Sequence, residues 1–176
     1  MAGKLVQVDS QTITSATSSL YLSGITTDDV YMVTVNDLFV TTDNTTLYIR
    51  VGSSGTADST ANYDGGQKTL YSASSFIENA YTNGTYFVGL NNLDQSGSGG
   101  ATPGSNANAI YYLYNWNDSS EYSFITQEEA TMLYTTALYG QQGGGVHTVA
   151  QSNSEIHFVM SSSTIASGKF NLYKVV

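Results

Sequence analysis

The chain has 176 residues, enough for one domain with its own core, and no cysteine, so neither a disulfide framework nor a thiolate centre is available. Its formal net charge is −9 with only five Lys and Arg, which speaks against a nucleic-acid partner and against an anionic membrane surface. Only 11% of residues are charged, against a usual ~25%, so the polar surface must come from Ser, Thr, Asn and Gln, and Tyr dominates the aromatic set. No run approaches the ~18 apolar residues of a membrane span. Met1–Val8 carries one charge and too little apolar sequence for a signal peptide, so synthesis in a cytoplasm without a cleaved export signal is expected.

Period-2 alternation recurs throughout and no long stretch has helical spacing, which predicts an all-β fold. Leu5–Val8 reads as an opening strand, and Leu20–Leu22 follows a Ser/Thr-rich connector. Between Asp29 and Val40, Tyr31, Val33 and Val35 share one face and Val30, Met32 and Thr34 the other, the pattern of a central strand, with Asn36-Asp37 as a bulge. Thr46–Val51 is expected to pair with it across the turn Thr42–Asn44. Gly52–Gly66 reads as loop, and Lys68–Ser72 and Thr85–Leu90 as strands. Asn91–Asn108 holds Gly97, Gly99, Gly100, Gly104 and the single proline, and is longer than the usual connection.

Ala109–Trp116 is an aromatic strand that Asn117–Ser120 turns into Tyr122–Thr126. Gln127–Tyr134 is the one helix candidate, with Thr126 as cap and Glu128 and Glu129 in the first turn; an extended strand is the rival reading. Gln141–Gly145 reads as a hinge or tight turn. Val146–Gln151, Glu155–Met160 and Gly168–Val175 finish the sheet, the last after a small-residue turn at Ala166–Gly168. The sum is an antiparallel β-sandwich of jelly-roll type, one domain over residues 1–176, with roughly nine or ten strands and at most one short helix. The expected core includes Val33, Val35, Leu47, Ile49, Ile110, Tyr112, Phe158, Phe170 and Leu172.

No constellation reads as catalytic. His147 and His157 are the only histidines; with Glu155 nearby they could hold a metal across a hairpin, but two half-exposed strand residues is the simpler reading. The acid pairs Asp28-Asp29 and Glu128-Glu129 are adjacent in sequence, and neighbours on a strand point to opposite faces, so neither makes the paired carboxyls of a glycosidase. No G-x-S-x-G elbow is present, and neither Gly97–Gly100 nor Gly143–Gly145 carries the Lys of a phosphate loop. Ile110, Tyr112, Tyr114 and Trp116 form a strip that could stack sugars but reads more simply as core, with Trp116 its most exposed member. The sequons at Asn44, Asn83 and Asn117 are what an Asn/Ser/Thr-rich chain yields by chance. No catalytic, cofactor-binding or metal-ligating residue is assigned, and no cofactor is implied.

Three blocks carry a family resemblance. The first is a Val-rich strand, a Ser/Thr run and Leu20–Ile25, followed by Tyr31–Leu38. The second is Leu47–Val51 leading through a Gly/Ser loop to Ala61–Asp64. The third is Ile156–Met160 followed by Ile165–Tyr173, where Lys169 and Asn171 replace small or Thr-like residues. In order and spacing these blocks resemble small virion structural proteins of tailed bacteriophages of the marine and cyanophage type. The resemblance implies a jelly-roll-like sandwich on the virion exterior, assembled in the host cytoplasm and lacking catalytic motifs. It implies a capsid decoration (cement) protein bound to the major capsid protein or neighbouring virion proteins. A tail-fibre or receptor-binding module touching host surface glycans is the alternative. A homo-oligomer, most simply a trimer, is expected, because closed symmetry hides sheet edges.

Overall fold

Alternation of apolar and polar side chains becomes extended chain almost everywhere in the computed structural model, which describes residues 3–73, 76–94, 106–133 and 137–176. Among these residues there are thirteen strands and no helix. They are β1 (Leu5–Ile13), β2 (Ser19–Ser23), β3 (Tyr31–Val40), β4 (Leu47–Ser53), β5 (Thr56–Ala57), β6 (Tyr63–Tyr71) and β7 (Ile77–Gly84). The remainder are β8 (Phe87–Val88), β9 (Ala107–Tyr114), β10 (Ser123–Met132), β11 (Leu138–His147), β12 (Glu155–Met160) and β13 (Ile165–Val175).

The strands form two antiparallel sheets, making a β-sandwich. The large sheet runs β1-β13-β3-β9-β10-β11-β6-β7; the smaller runs β2-β12-β4-β5, with β8 also on β4. The order is nested: the first strand pairs with the last, and the second with the one before it. Between the sheets lie Leu22, Ile49, Val51, Ile156 and Phe158 from one side and Val33, Val35, Tyr111, Leu113, Phe170 and Leu172 from the other. Phe158 ties the layers together, its ring 5.0 Å from Phe170 and 6.3 Å from Tyr111. Each such side chain contributes about 1.5–3 kcal/mol by leaving water.

Several expectations are corrected. The helix over Gln127–Tyr134 is instead part of β10, whose residues Phe124 to Ala130 are paired on both flanks, with β9 and β11; residues 134–136 lie outside the described chain. Two ladders outweigh a helix cap and two acids. Thr46–Val51 does not pair with β3: the chain crosses to the other sheet at Thr41–Thr46, and β4 lies against β12. Gln141–Gly145 is no hinge but the middle of β11, paired with both β10 and β6. Gly145 and Gly65 oppose each other there because a Cβ at the first would stand 2.7 Å from the Phe87 ring and one at the second would meet the Tyr81 ring. Ala166–Gly168 is an irregular part of β13 rather than a turn, with two register shifts against β3. The loop expected over Gly52–Gly66 holds β5 and the start of β6, and no strand is found in Thr148–Gln151. The middle of Asn91–Asn108, residues 95–105, lies outside the described residues.

The phase of β9 is also inverted relative to expectation. Tyr111 and Leu113 are fully buried, whereas Ile110 and Tyr112 are 40% and 39% exposed. Both faces of Ala109–Tyr114 are apolar enough to be core, so alternation cannot choose; register with β3 does, setting Tyr111 beside Val33 and Leu113 beside Tyr31. Asn115, at φ 53°, then breaks the alternation and turns Trp116 inward. That indole, expected to be the exposed member of its strip, is fully buried and donates to the Glu155 carbonyl at 3.0 Å. The bulge at Asn36-Asp37 forms as expected, with Asp37 at φ 51°.

Phe170→Ala is expected to destabilise the fold by about 3–5 kcal/mol, and Ile110→Ala by less than about 1 kcal/mol, in urea unfolding. Equal costs would mean the phase of β9 is wrong.

Candidate functional site

Alternation aims one side of every strand of the large sheet away from the core. Across that outer face, register aligns Asn171, Thr34, Ile110, Glu128, Gln142, Lys68 and Glu78 in a single row. The row is self-paired at three places: Asn171 Nδ2 donates to Thr34 Oγ1 at 3.1 Å, Gln142 Nε2 donates to Glu128 Oε1 at 3.0 Å, and Lys68 meets Glu78 at 3.6 Å. Around it stand large apolar side chains open to solvent: Ile110, Tyr112, Phe124, Leu138, Leu70 and Phe76, the last 65% exposed with the Lys68 ammonium over its ring. Between them lies a shallow groove of about 490 Å³, continuous through Ile110, Glu128 and Gln142 with a second of about 260 Å³. Amides from Asn36, Asn108 and Gln142 edge the first.

The two acids of β10 separate as strand geometry demands. Glu128 stands on this outer face, while Glu129 is turned inward and only 9% exposed. Glu129 joins a polar inner cluster: Gln127 donates to Gln67 Oε1 at 3.0 Å, Gln141 donates to Thr69 Oγ1 at 3.1 Å, and Gln127 lies 3.4 Å from Glu129. Burial pushes the Glu129 carboxyl well above its ordinary range, and an N–H of Asn91 only partly offsets that. The arrangement holds one outward and one inward carboxyl, not an acid–base pair across a cleft.

The two histidines, placed by the sequence in adjacent strands, lie in different sheets and serve different carboxylates. His147 on β11 is fully buried, with Nε2 3.3 Å from Asp58 and its ring 4.7 Å from Tyr63. Burial pushes this imidazole below its ordinary value, against the raising pull of Asp58. Burial also opposes the Asp58 carboxylate, but the Thr60 hydroxyl and N–H, with His147, outweigh it and hold Asp58 below the usual carboxylate range. His157 on β12 lies 2.9 Å from Glu155 Oε2 on the outer side of the smaller sheet. Glu155 and His157, two residues apart on one strand, share a face, and the Tyr21 ring from β2 stacks on the imidazole at 5.0 Å. Among the described residues no three His, Asp or Glu side chains gather as a metal ligand set.

The remaining sequence features serve turns and joins. Asp29 pairs with Lys174, tying the β2–β3 connection to the end of β13. Asn44 bends the β3–β4 connection at φ 55°, Asn83 lies near the end of β7 at φ 54°, and Asn117 donates to the carbonyls of Ile25 and Asn153. Gly97–Gly100 lies outside the described residues. Tyr21 was not legible as a site residue, and Glu155 and His157 entered the sequence reading only as members of a disfavoured metal site with His147.

No family model and no curated protein matches the chain. Among solved structures, one titled "Catalytic domain of PdAgaC" is similar over 98% of this chain and 76% of that one, at 6% identity and a TM-score of 0.31. A likeness so distant carries no argument.

Two pH-linked outcomes follow. The neutral form of His147 is favoured by the fold, so its stabilising contribution is complete above the ordinary value of 6.5 and is lost as pH falls below it. Thermal melts are expected to drop between pH 7.5 and 5 by less in His147→Gln than in the parent chain. Glu129 has the opposite sign of charge and a raised value, so its charged form strains the fold at neutral pH. Glu129→Gln is expected to raise the urea midpoint at pH 7, with the gain vanishing near pH 4.

Proposed function

We propose that the protein is a non-enzymatic structural protein of a tailed-bacteriophage virion, a capsid decoration protein on the outer shell. The reading rests on the resemblance of the blocks around Leu20–Leu38, Leu47–Val51 and Ile165–Tyr173 to such proteins. One structural observation supports it most: Ile110, Tyr112, Phe124, Leu138, Leu70 and Phe76 crowd one open sheet face without a partner from the chain's described residues. Large apolar groups standing open to solvent on both sides of a polar row are surface that a protein partner can cover. The occupant is a neighbouring shell protein: the face offers area and shape rather than charge, and its Glu128 and Lys68 are already partnered. Adhesion there stabilises the assembled shell by mass action.

A homotrimer is part of the proposal. The large sheet ends at β1 and β7, two long edge strands of nine and eight residues, which closed symmetry would cover. The net charge of −9 fits a place outside the shell, away from packaged DNA.

Particles lacking the protein are expected to package DNA yet rupture at lower temperature or milder osmotic shock. In reconstitution, Phe124→Ser and Ile110→Ser should each weaken shell binding by about 1–2 kcal/mol, as truncated interface anchors do. Sedimentation is expected to give three chains per particle of free protein. Particles that stay robust but fail to adsorb to host cells would replace this reading with the tail-fibre one.

A further inference from the structure

The outer side of the smaller sheet carries a second feature that shell adhesion does not use. A groove of about 560 Å³ runs beside β2, between the β1–β2 connection and the Tyr21–His157 stack. Gln11 Nε2 donates to the Tyr21 carbonyl at 2.7 Å, which holds β1 against β2 and fixes one wall. Thr14, Ser15, Thr17 and Ser19 are among the residues that line it. The hydroxyls of Thr14 and Ser15 are engaged by no other side chain among the described residues.

The floor is built rather than incidental. The turn between β4 and β5 folds over Glu155, and the Gly55 N–H donates to both of its carboxylate oxygens at 2.9 Å. The second oxygen also faces His157 Nε2 at 2.9 Å, so the carboxylate is fully engaged although only 6% of the residue is exposed. Gly52 leaves room for this: a Cβ there would stand 2.5 Å from the imidazole. The pair thereby clamps His157 as a flat base under one face of the Tyr21 ring, at an interplanar angle of 25°. β2 is the edge of its sheet, so the ring keeps a free flank and is 40% exposed.

Chemistry then narrows the ligand. No Lys or Arg lines the groove among the described residues, which disfavours anions. The Glu155 oxygens are occupied, which disfavours cations. Hydroxyls predominate over apolar side chains, which disfavours lipids and aliphatic peptides. What remains is a neutral molecule that offers hydroxyls at its rim and a flat C–H face to an aromatic ring. We infer that this groove is a binding site for a neutral saccharide, with Tyr21 as the stacking platform, Thr14, Ser15 and Ser19 as hydrogen-bonding partners, and the Glu155–His157 pair as the support beneath the ring.

The inference does not depend on the shell-adhesion reading. It is tested on the full chain by heteronuclear NMR titration with neutral tetrasaccharides built from glucose, galactose and N-acetylglucosamine, up to about 10 mM, beyond the weak end of useful single-site affinities. At least one should shift the amides of residues 11–21 and 55 selectively. Tyr21→Ala should weaken that binding about tenfold, as loss of an aromatic platform does, and Tyr21→Phe should restore it. Ile110→Ser, on the opposite sheet, should leave it unchanged while weakening shell binding. No saccharide shifting these amides, or unchanged affinity in a folded Tyr21→Ala chain, would overturn the site and leave the adhesion reading untouched.

Discussion

The insertion of β13 between β1 and β3 is the constraint on which the sandwich rests. It delivers Phe170 and Leu172 into the core, where Phe170 meets Phe158 of the other sheet. It also makes the two ends of the chain neighbours: Val176 and Lys4 exchange backbone hydrogen bonds at 2.7 and 2.9 Å. No local contact can substitute for this pairing, because its partners come from opposite ends of the sequence. Closure of the large sheet therefore needs the whole chain, and the folding nucleus must bring distant segments together at a high cost in loop entropy.

Past β9 the large sheet runs on through β10, β11, β6 and β7, and its two faces exchange character. Over β3 and β13 the inner face is aliphatic and aromatic. Over β10, β11 and β6 it carries Gln127, Glu129, Thr131, Gln141 and Thr69, all buried. The outer face of the same strands gains Phe124, Leu138 and Leu70. A buried polar cluster is costly unless its members hydrogen-bond one another; the Gln127–Gln67 and Gln141–Thr69 bonds meet part of that demand, while Thr131 Oγ1 and Gln141 Oε1 stay without a partner. Apolar surface on these strands thereby stands on the outer face, open to solvent.

This exchange also explains which parts of the fold were legible in the sequence. β3, β4, β12 and β13 carry aliphatic residues on their inward face, so their existence and the buried residues Val33, Leu47, Phe158 and Phe170 could be read directly, though the sheet to which β4 belongs could not. β9 could not be phased, since Tyr111 and Tyr112 are alike and only pairing to β3 distinguishes them. β10 was obscured by its acids, which look like a helix start when their opposite faces are ignored. β7, with the sequence Ile77–Gly84, has almost no apolar alternation because it is an edge strand with most of its residues exposed. At the candidate groove Glu155 and His157 were visible only as members of a disfavoured metal site, and Tyr21 and Gly55 arrive from another strand and a turn.

The scarcity of charge gives the surface its character. Lys68 and Lys174 sit in ion pairs, and Arg50 Nε donates to the Thr85 carbonyl. Each histidine is buried against a carboxylate, His147 against Asp58 and His157 against Glu155. With five Lys and Arg in the chain, the surface presents mainly aromatic rings, amides and hydroxyls. Such contacts are short-ranged and depend on shape and fixed geometry. That requirement fits rigid strands better than loops, since ladder pairing on both flanks holds Ile110 and Phe124 in place before any partner arrives. Interfaces of this kind are little affected by salt, because screening acts on charges and few are involved. On both faces of the sandwich the rings and amides that stand open to solvent are carried on paired strands, where the ladders fix their positions.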